Sequence, residues 1–541
     1  MGRWRPSKGD SVSTPETADT IWELVEARAQ ATPDAVMLID EADTKLTCVQ
    51  LRDAALSTAA GLAAMGIGEN TPVTWQLPTT IDAVVTSLAL ARLGALQNPI
   101  LHIYRERELG VAIRRTRPEL VIVPGEWMGT DFEAMTAGVL DSLEGDDVDG
   151  AARPCVLSLA DGRPTGDAAT LAPFAPPDDP ATAVRWIYYT SGTTSEPKGV
   201  RHTDATLLAG GRGLAAAVDL GADDVGSMAF PYAHIAGPDY LIMCLHSGFP
   251  FVLIGAFNPP AAVETYNRYG VTMIGGSTAF YQMFLAEQAK TPGTKFIPTL
   301  KLISGGGAPK PPELAARIRD EIGVPVCHGY GMTEVPMIAQ GSPRDTEEQL
   351  ANTEGAPVPG CEVRIVTEDG SVASTGQEGE VRLKGPMVCL GYTDAEATAA
   401  AFDDEGWFRT GDLGILRDDG HLALTGRLKD VIIRKGENIS AKEVEDLLFT
   451  HPKVADVAVI GLPDEDRGER VAAVVERAEG VDDLTFAEMS AHLNAAGLMT
   501  RKIPEQLEVV EALPRNETLR KVLKFKLRET YADVPWTPEP R

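Results

Sequence analysis

Apolar and polar positions along the chain alternate between the spacing of a helix and the spacing of a strand. Residues 21–40, IWELVEARAQATPDAVMLID, predict an amphipathic helix followed, after Thr-Pro-Asp, by a short apolar strand. Residues 79–100 repeat this order, with Gly94 ending the helix, and residues 311–331 give a helix, Gly323, a strand and a glycine-rich turn. This alternation predicts an α/β fold whose sheets are mostly parallel and flanked by helices.

Two stretches depart from this pattern. Residues 128–182 are rich in Asp, Gly, Ala and Pro and have weak periodicity, which predicts a surface connection. The longest apolar run, residues 240–257, is interrupted by His246, Gly248 and Pro250. It therefore predicts a buried helix end, a turn and a strand, and not a membrane span.

The chain changes character after TGRLKD (425–430). Residues 439–464 predict a helix, a strand and a turn, and residues 485–497 and 522–532 predict further helices. We therefore expect a compact α+β domain from about residue 430 to residue 541.

Length, charge and cysteine content exclude several classes of protein. At 541 residues the chain is too long for one core, so two or more domains are expected. Asp and Glu number 78 against 49 Lys and Arg, and the net charge of −29 argues against nucleic acid as a partner, although a local basic site stays open. The six cysteines are scattered without a C-x-x-C pair, and the N-terminus has no apolar signal core. We expect a cytoplasmic protein with reduced thiols and no transmembrane segment.

A loop rich in hydroxyl groups gives the first chemical signal. YYTSGTTSEPKG (188–199) follows a strand-like RWIYY and ends in Pro197, Lys198 and Gly199. Backbone N–H groups, hydroxyls and an ammonium on one loop favour an anion site, although a solvated turn would look the same in isolation. It is not a Walker loop, because no hydroxyl-bearing residue follows Lys198.

Six further motifs accompany this loop. They are PYAHIAG (231–237), GGAP (306–309), GYGMTE (329–334), GWFRTGDLG (406–414), GRLKDVIIRKGENIS (426–440) and LPRNETLRKVLKFKLRE (513–529). Each motif alone is weakly or moderately specific. Together and in this order they resemble the adenylate-forming superfamily of acyl-CoA synthetases, luciferases and peptide-synthetase adenylation domains, and in particular its acyl-CoA synthetase branch. The resemblance extends from about residue 20 to about residue 530.

The resemblance implies an activity and a domain organisation. Such enzymes join a carboxylate to ATP, release pyrophosphate, and then let a thiol displace AMP from the acyl-adenylate. Both steps concentrate negative charge, so ATP, Mg²⁺ and coenzyme A are the expected cofactors. The implied domains are residues 1–427 for acid and ATP binding, a hinge at 428–430, and a small mobile domain at 431–541. The expected partners are small molecules, and a homodimer is left open.

The resemblance also implies which residues bind the nucleotide. The expected phosphate contacts are Thr190, Ser191, Gly192, Thr193, Thr194 and Lys198. Similar loops usually have Gly where Ser195 stands, and the substitution would stiffen the loop without removing a phosphate donor. Adenine is expected between the turn Gly307–Ala308–Pro309 and the ring of Tyr330, with Gly331 beside it. Taken alone, these pieces could equally be a glycine turn and a core tyrosine.

Four more residues complete the implied nucleotide site. Thr333 would contact the α-phosphate, and Glu334 would bind Mg²⁺, which prefers one or two carboxylates together with substrate phosphates. Asp412 would accept hydrogen bonds from the ribose hydroxyls, and Arg427 would hold the ribose or a phosphate.

The acid is expected to be apolar. His234 is either a core histidine or, as the resemblance implies, the residue that gates the acyl pocket. Amino-acid-activating relatives place an aspartate just after this motif, whereas Asp239 is offset, so a non-amino acid is favoured. Residues 273–285 should line the pocket, with Gly275 and Ser277 leaving room, Phe280 closing it and no cationic residue present. A fatty, alicyclic, aromatic or steroid-derived carboxylate fits this composition.

The register of the catalytic lysine is ambiguous. Related chains end with a lysine that reaches the α-phosphate and the carboxylate during adenylation. Counting back from KFKLRE places Lys521 there, and we prefer it because the following amphipathic helix fixes the register; Arg520 and Lys524 are the rivals. Lys429 matches the hinge between the two domains, which must rotate because one site uses first a lysine and then a thiol.

Two further residues are assigned to the arrangement of the two domains in which the thiol reacts. Gly436 resembles a residue that lines the thiol tunnel, and Asn438 resembles a contact to substrate or nucleotide in that region. The leading hypothesis is an acyl- or aryl-CoA ligase, and the alternative is an adenylation enzyme that loads a separate carrier protein. A luciferase-like oxidase and a binding protein that lost its chemistry are less favoured, because the motifs of the catalytic site are present.

Overall fold

The structure is a computed structural model that describes residues 14–143, 153–190, 197–435, 437–464, 466–516, 520–532 and 534. These residues form two units. The first unit comprises the described residues of 1–189, 199–273 and 333–336, and the second comprises those of 190–198, 274–332 and 337–541.

The first unit contains eight of the described α-helices. They are α1 (Ile21–Ala31), α2 (Cys48–Ala64), α3 (Ile81–Leu93), α4 (Glu106–Thr116), α5 (Phe132–Leu143), α6 (Asp204–Val218), α7 (Ala236–Ser247) and α8 (Pro259–Tyr269). Its strands are β1 (Val36–Ile39), β2 (Lys45–Thr47), β3 (Pro72–Trp75), β4 (Leu96–Pro99), β5 (Leu120–Val123), β6 (Glu126–Trp127), β7 (Thr130–Asp131), β8 (Cys155–Ser158), β9 (Val184–Tyr189), β10 (Gly199–Thr203), β11 (Gly226–Met228) and β12 (Phe251–Leu253).

Two of the sheets in the first unit are mostly parallel, as the alternating pattern predicts. The larger has the order β10-β9-β4-β3-β5-β8, and only the edge strand β10 runs antiparallel to its neighbour. The smaller has the order β11-β12-β1-β2, with β2 antiparallel. Parallel strands need crossover connections, and the amphipathic helices between the strands supply them.

Helix ends in this unit follow the local sequence signals. The hydroxyl of Thr80 accepts a hydrogen bond from Ala83 N at the start of α3, and Gly94 ends the helix with a φ of 67°. Gly248 ends α7 with a φ of 80° and is followed by β12. The predicted stop at Gly94 and the predicted helix, turn and strand in residues 240–257 are therefore confirmed.

The prediction for residues 128–182 is wrong in part. Helix α5 and strand β8 lie within this stretch. The apolar side of α5 buries Phe132 and Leu140 against Leu109 of α4 and Val121 of β5. Strand β8 pairs with β5 at the edge of the larger sheet. A four-residue edge strand has too few positions to show a periodic pattern, which is why the sequence did not reveal it.

The second unit contains the remaining described helices and strands. The helices are α9 (Thr278–Ala289), α10 (Pro312–Ile322), α11 (Glu347–Asn352), α12 (Ala395–Ala401), α13 (Ala441–Leu448), α14 (Phe486–Ala495) and α15 (Lys524–Tyr531). The strands are β13 (Met273–Gly276), β14 (Leu302–Gly306), β15 (Val326–Met332), β16 (Val335–Gln340), β17 (Ala356–Pro357), β18 (Glu362–Val366), β19 (Gly379–Lys384), β20 (Phe408–Leu416), β21 (Leu422–Arg427), β22 (Val431–Arg434), β23 (Glu437–Ser440), β24 (Val454–Asp464), β25 (Gly468–Arg477) and β26 (Gln506–Val510).

Two sheets of the second unit place the predicted nucleotide residues. One has the order β13-β14-β15-β16-β17, and β14 and β15 are parallel. The other, β18-β19-β20-β21, is antiparallel throughout. In it, Asp412 of β20 is directly opposite Arg427 of β21, so the sheet register brings together two residues that are fifteen positions apart.

The C-terminal α+β domain is confirmed as a layered structure. Its sheet has the order β23-β22-β25-β24, with β26 added parallel to β25. Helices α13 and α14 bury Val444 and Met489 against one face, and Leu527 of α15 is buried against the other. The predicted helices at 485–497 and 522–532 are therefore present. The boundary at 427–431 and the hinge remain predictions.

No α-helix among the described residues is both long enough and apolar enough to span a bilayer.

Candidate active site

The ends of the predicted phosphate loop are held together by two hydrogen bonds, one between backbone groups and one from the backbone to a side chain. Thr190 N donates to Lys198 O at 3.1 Å, and Lys198 N donates to Thr190 Oγ1 at 3.2 Å. The Lys198 ammonium lies 5.0 Å from the centroid of the Tyr392 ring, a cation–π distance. The other predicted phosphate contacts, Ser191, Gly192, Thr193 and Thr194, lie outside the described residues. Phosphate binding by this loop remains a prediction.

A buried carboxylate joins three of the predicted nucleotide residues. Asp412 is only 3% exposed. The Tyr330 hydroxyl donates to Asp412 Oδ2 at 2.5 Å, and Arg427 Nε lies 2.9 Å from Oδ1. Burial, together with the charge of Asp412, raises the pKa of the Tyr330 hydroxyl well above its ordinary value, so it remains a donor at neutral pH. The three side chains form one fixed group whose remaining donors and lone pairs are available to a ligand.

The GGAP turn is supported by a buried histidine that sequence analysis missed. His328 Nε2 lies 3.0 Å from the carbonyl oxygen of Ala308, and its Nδ1 lies 3.1 Å from the Tyr281 hydroxyl. Because a carbonyl can only accept, Nε2 must carry the proton. Burial and the nearby charge of Lys310 lower the pKa of His328 to about 3, which keeps the ring neutral. The only sequence signal was its position just before the GYGMTE motif.

Glycines around this turn serve strand packing. A Cβ at Gly305 would lie 1.9 Å from the Gly276 carbonyl oxygen, and one at Gly306 would lie 2.5 Å from the Gly329 carbonyl oxygen. Gly307 has a φ of 82°, in the left-handed region that favours glycine. The small residues therefore let neighbouring backbones approach each other. Contact between this turn and adenine remains a prediction, as does stacking by Tyr330.

A second buried cation follows the same turn. Lys310 is 3% exposed, and its ammonium donates to the carbonyl oxygens of Leu350 and Ala351, each at 2.7 Å. These carbonyls lie in the last turn of α11, where a positive charge is favourable. Burial lowers the pKa of Lys310 to about 8, against the opposing effect of Glu354. Its position directly after GGAP gave no indication of this role.

In the first unit, a buried histidine fixes the backbone of Thr333. His202 is fully buried, and its Nε2 lies 2.7 Å from the Thr333 carbonyl oxygen. Nε2 must be the donor, and Nδ1 faces the Thr206 hydroxyl at 2.9 Å. Burial lowers the pKa of His202 to about 4. The next residue along, Glu334, is 8% exposed. Sequence analysis named Thr333 and Glu334 but missed the histidine that holds them in place.

A cavity in the first unit brings two of the predicted site residues together. It lies beyond the carboxyl ends of the neighbouring parallel strands β4 and β9, where ligands bind in α/β sheets. His234 and Thr333 both line it, and so do Ile100, Leu101, Tyr188 and Ile235. His234 is held at the start of α7, where its Nδ1 accepts from Ala236 N at 3.2 Å.

The other predicted acyl-pocket residues belong to the second unit. Gly275 lies in β13, and Ser277 precedes α9 and is fully buried, with no partner for its hydroxyl among the described residues. Phe280 is 6% exposed, and its ring centroid lies 6.4 Å from that of Phe284. Their contribution to an acyl pocket remains a prediction.

The three candidates for the C-terminal cation have different local contacts. Lys524 begins α15, and its ammonium lies 2.7 Å from the carboxylate of Glu445, which also accepts from Val459 N at 2.6 Å. The N–H of Lys521 donates to Asn516 Oδ1 at 2.8 Å, and the N–H of Asn516 donates to the Lys521 carbonyl oxygen at 2.8 Å. Arg520 has a φ of 56°, in the left-handed region. Lys524 therefore has a structural partner in Glu445, and the choice of Lys521 as the catalytic residue remains a prediction.

The predicted hinge and tunnel residues are only partly described. Lys429 lies in the short 3₁₀ helix Leu428–Asp430, and burial and the nearby Arg427 lower its pKa. Asn438 is exposed in β23. Gly436 lies outside the described residues. The roles proposed for these three residues remain predictions.

Comparison with known proteins identifies the family. The model of the AMP-binding enzyme family matches residues 25–393, and that of the AMP-binding enzyme C-terminal domain matches residues 443–519. The medium-chain fatty-acid–CoA ligase of Escherichia coli is 31% identical over 93% of this chain and 88% of its own length. The salicyl-AMP ligase / salicyl-S-ArCP synthetase of Mycobacterium tuberculosis is 32% identical over 92% of this chain and 88% of its own.

A solved structure gives the same result. The crystal structure of ATP-bound MatB from Rhodopseudomonas palustris is 30% identical, with a TM-score of 0.82 over 94% of this chain and 99% of that one. The chain belongs to the AMP-binding enzyme family. The predicted α/β fold, the adenylate-forming acyl-CoA ligase class and the use of ATP, Mg²⁺ and coenzyme A are confirmed.

Replacing Tyr330 by Phe tests whether its hydroxyl or its ring matters to nucleotide binding. The Phe variant keeps the ring but leaves Asp412 with Arg427 alone, so we expect the KM for ATP to rise about 10-fold, since a hydrogen bond to a charged group contributes roughly 1.5 kcal/mol. Steady-state kinetics with varied ATP measure this. An unchanged KM would show that stacking alone matters.

The lowered pKa of His202 should make the stability of the protein depend on pH under acidic conditions. Its folded pKa of about 4 lies below the ordinary value of 6.5, so between these pH values the unfolded chain binds the extra proton. The contribution is therefore fully present above pH 6.5 and is lost as the pH falls to about 4. Replacing His202 by Gln keeps a donor for Thr333 but removes the titration. We expect the melting temperature of this variant to fall less steeply over that interval than that of the wild type; parallel curves would contradict the assignment.

Proposed function

We propose that the protein activates a largely apolar carboxylic acid, of fatty, alicyclic, aromatic or steroid-derived type, and transfers the acyl group to coenzyme A. The observation that supports this most directly is the cavity beside His234 and Thr333. Its other walls include Ile100, Leu101 and Ile235, so the body of the acid would displace water from apolar surface. Its carboxylate would lie at the polar end, next to His234.

The nucleotide would be held by the groups already described. Asp412 and Arg427 would contact the ribose, in an orientation fixed by Tyr330. The backbone of Gly307–Ala308–Pro309, held by His328, would lie against adenine. Thr190–Thr194 and Lys198 would bind the β- and γ-phosphates, and Thr333 the α-phosphate. Donors that are in position before the reaction would need little reorganisation as charge develops.

A single magnesium ion would suit the site proposed at Glu334. Glu334 is a mostly buried carboxylate directly after Thr333. Mg²⁺ is commonly bound by one or two carboxylates together with substrate phosphates and water, so one such group is sufficient. When bound, the ion would neutralise charge on the phosphates. Glu334 would hold it, and Thr333 would keep the α-phosphate in reach of the attacking carboxylate.

The C-terminal domain would serve the two steps in turn. Lys521 would neutralise charge as the carboxylate oxygen attacks the α-phosphorus and pyrophosphate leaves. Rotation about Lys429 would then remove Lys521 and bring Gly436 and Asn438 to the path of the thiol, which attacks the acyl carbon and releases AMP. Because the same site cannot hold both arrangements at once, rotation would separate the two steps in time.

A carrier-loading activity is the second candidate. It is favoured by the similarity to a salicyl-AMP ligase / salicyl-S-ArCP synthetase, which is 32% identical. In this case the acceptor thiol would belong to a carrier protein, and the adenylation step would be unchanged. The six free cysteines fit a cytoplasmic location, and a homodimer remains a prediction.

Product analysis tests the proposed reaction. With ATP, Mg²⁺, coenzyme A and a panel of apolar acids, we expect AMP, pyrophosphate and an acyl-CoA in equal amounts. Chromatography with mass detection measures all three. Formation of ADP and inorganic phosphate would overturn the proposal, because the wrong phosphate bond would have been broken. Acyl-adenylate without thioester would favour the carrier-loading alternative.

Separate half-reactions test the role of Lys521. We expect replacement of Lys521 by Ala to slow acyl-adenylate formation roughly 10²- to 10³-fold, the loss typical of one donor to a developing negative charge. Thioester formation from supplied acyl-adenylate should be nearly unchanged. Rapid-quench measurement of each half-reaction shows this.

Two variants of α15 serve as controls. Replacing Lys524 by Ala breaks its ion pair with Glu445, so we expect lower thermal stability without a selective loss of the first step. Replacing the exposed Lys526 by Ala should change neither the thermal stability nor the rate of the first step. A selective first-step defect at Lys524 or Arg520 would move the catalytic register to that residue.

A further inference from the structure

An ion pair joins the predicted hinge segment, residues 428–430, to helix α15. Arg528 of α15 donates from Nη2 to Asp430 Oδ1 at 2.8 Å, and Asp430 is the last residue of the short 3₁₀ helix in this segment. The side chains of Arg528 and Asp430 are 32% and 18% exposed, so the pair is partly shielded from water. Although burial opposes the effect, the charges of Lys524 and Arg528 lower the pKa of Asp430, which keeps this carboxylate ionised at neutral pH.

A different ion pair holds the residue just before the hinge segment. Arg427 Nε lies 2.9 Å from Asp412 Oδ1, and the two residues are directly opposite each other in the register of β20 and β21. The two pairs therefore have different supports. Arg427 is held by the antiparallel sheet that precedes the segment, whereas Asp430 is held by a helix that follows it in the C-terminal domain. Only Leu428 and Lys429 lie between these anchors, and hinges are commonly formed by a few residues of this kind that absorb large changes of backbone angle.

Helix α15 is attached to the rest of the C-terminal domain at two further points. Leu527 is 3% exposed and belongs to a buried apolar cluster that includes Ile460 of β24. At the start of the helix, the Lys524 ammonium lies 2.7 Å from the Glu445 carboxylate of α13. The helix is therefore fixed to both the sheet and α13. Through its ion pair with α15, the hinge segment is connected to this whole body and not to a single helix.

The proposed catalytic lysine belongs to the same body. Two hydrogen bonds of 2.8 Å join Lys521 to Asn516, one through the Asn516 side chain and one through its backbone N–H. The preceding residue, Arg515, donates from Nη2 to Asp456 Oδ2 of β24 at 2.5 Å. Lys521 is thus fastened to the C-terminal sheet. Its position relative to the nucleotide residues therefore depends on the hinge segment and on the anchors at either end of it.

We propose that Arg528 is a positioning residue for the adenylation step. By holding Asp430, it confines the rotation of the C-terminal domain to the two preceding residues and thereby determines where Lys521 stops. The inference rests on the proposed function, in which this domain rotates between the two steps, and adds a residue that controls the end point of the rotation. Without the ion pair the flexible link is longer, and the ammonium of Lys521 samples a wider range of positions. Misplacement of a reacting group by about 1 Å can reduce a rate by as much as about 10²-fold.

The rate of acyl-adenylate formation in single and double variants tests the proposal. Replacing Arg528 by Gln, or Asp430 by Asn, removes the ion pair, and we expect each change to slow this step about 10-fold in rapid-quench measurements. In the Lys521→Ala background, the same changes should alter the remaining rate less than about twofold, because no ammonium is left to be positioned. Replacing Arg528 by Lys keeps the positive charge, so most of the rate should be retained.

Another ion pair of the C-terminal domain provides the matched control. The Lys502 ammonium lies 2.6 Å from the Glu443 carboxylate of α13, and these side chains are 26% and 42% exposed. Replacing Lys502 by Gln removes a partly exposed ion pair from the same domain but leaves the hinge segment unchanged. We expect this variant to form acyl-adenylate at the wild-type rate. Because the hinge pair can be broken from either side, the test remains valid if one of the Arg528 and Asp430 variants does not fold.

The possible results separate this inference from the proposed function. Failure to activate any acid would overturn the function, and an unchanged first step in the Lys521→Ala variant would overturn the role of that lysine; either result would overturn this inference as well. If Lys521→Ala shows its defect but breaking the hinge pair leaves the first step unchanged, only the inference is overturned. Equal losses in the wild-type and Lys521→Ala backgrounds would also overturn it, because the pair would then merely stabilise the domain. A comparable loss in the Lys502→Gln variant would have the same meaning.

Discussion

The buried carboxylate of Asp412 is the constraint on which the arrangement of the nucleotide site depends. An ionised group at 3% exposure is stable only if charge and hydrogen bonds compensate for lost water, and both partners come from different strands. Arg427 is supplied by the register of β20 and β21, and Tyr330 is supplied by β15. The antiparallel sheet and the five-stranded sheet therefore have to keep their relative positions for Asp412 to remain paired. A nucleotide bound there would contact a group that was already rigid.

In each unit, a neutral histidine holds the backbone of a motif in place. His202 donates to the carbonyl of Thr333, and His328 donates to the carbonyl of Ala308. Both rings are buried, and burial lowers both pKa values far below neutrality. A charged side chain in either place would add a positive charge to the protein interior. A neutral ring fixes the backbone of a motif without that cost and leaves the motif's own side chain for the ligand.

The sequence predicted the features that depend on neighbouring residues. Gly94 ends its helix and α15 forms where expected, because capping and amphipathic spacing are local properties. The pairing of Asp412 with Arg427 and the role of His328 depend on strand register and burial, which arise only when distant segments pack together. Their motifs could be recognised, but the contacts could not be derived from the sequence. Lys524 shows the same limit, since its partner Glu445 is distant in the chain.

The contrast between satisfied and unsatisfied polar groups distinguishes the framework of the site from the parts that meet a substrate. His202 and His328 are buried and have a protein partner at both ring nitrogens, so they define geometry, and Asp412 is held in place by Tyr330 and Arg427. Tyr188 is equally buried and lines the cavity, but its hydroxyl has no hydrogen-bond partner among the described residues. The rule that buried polar groups need partners therefore accounts for the rigidity of the nucleotide site.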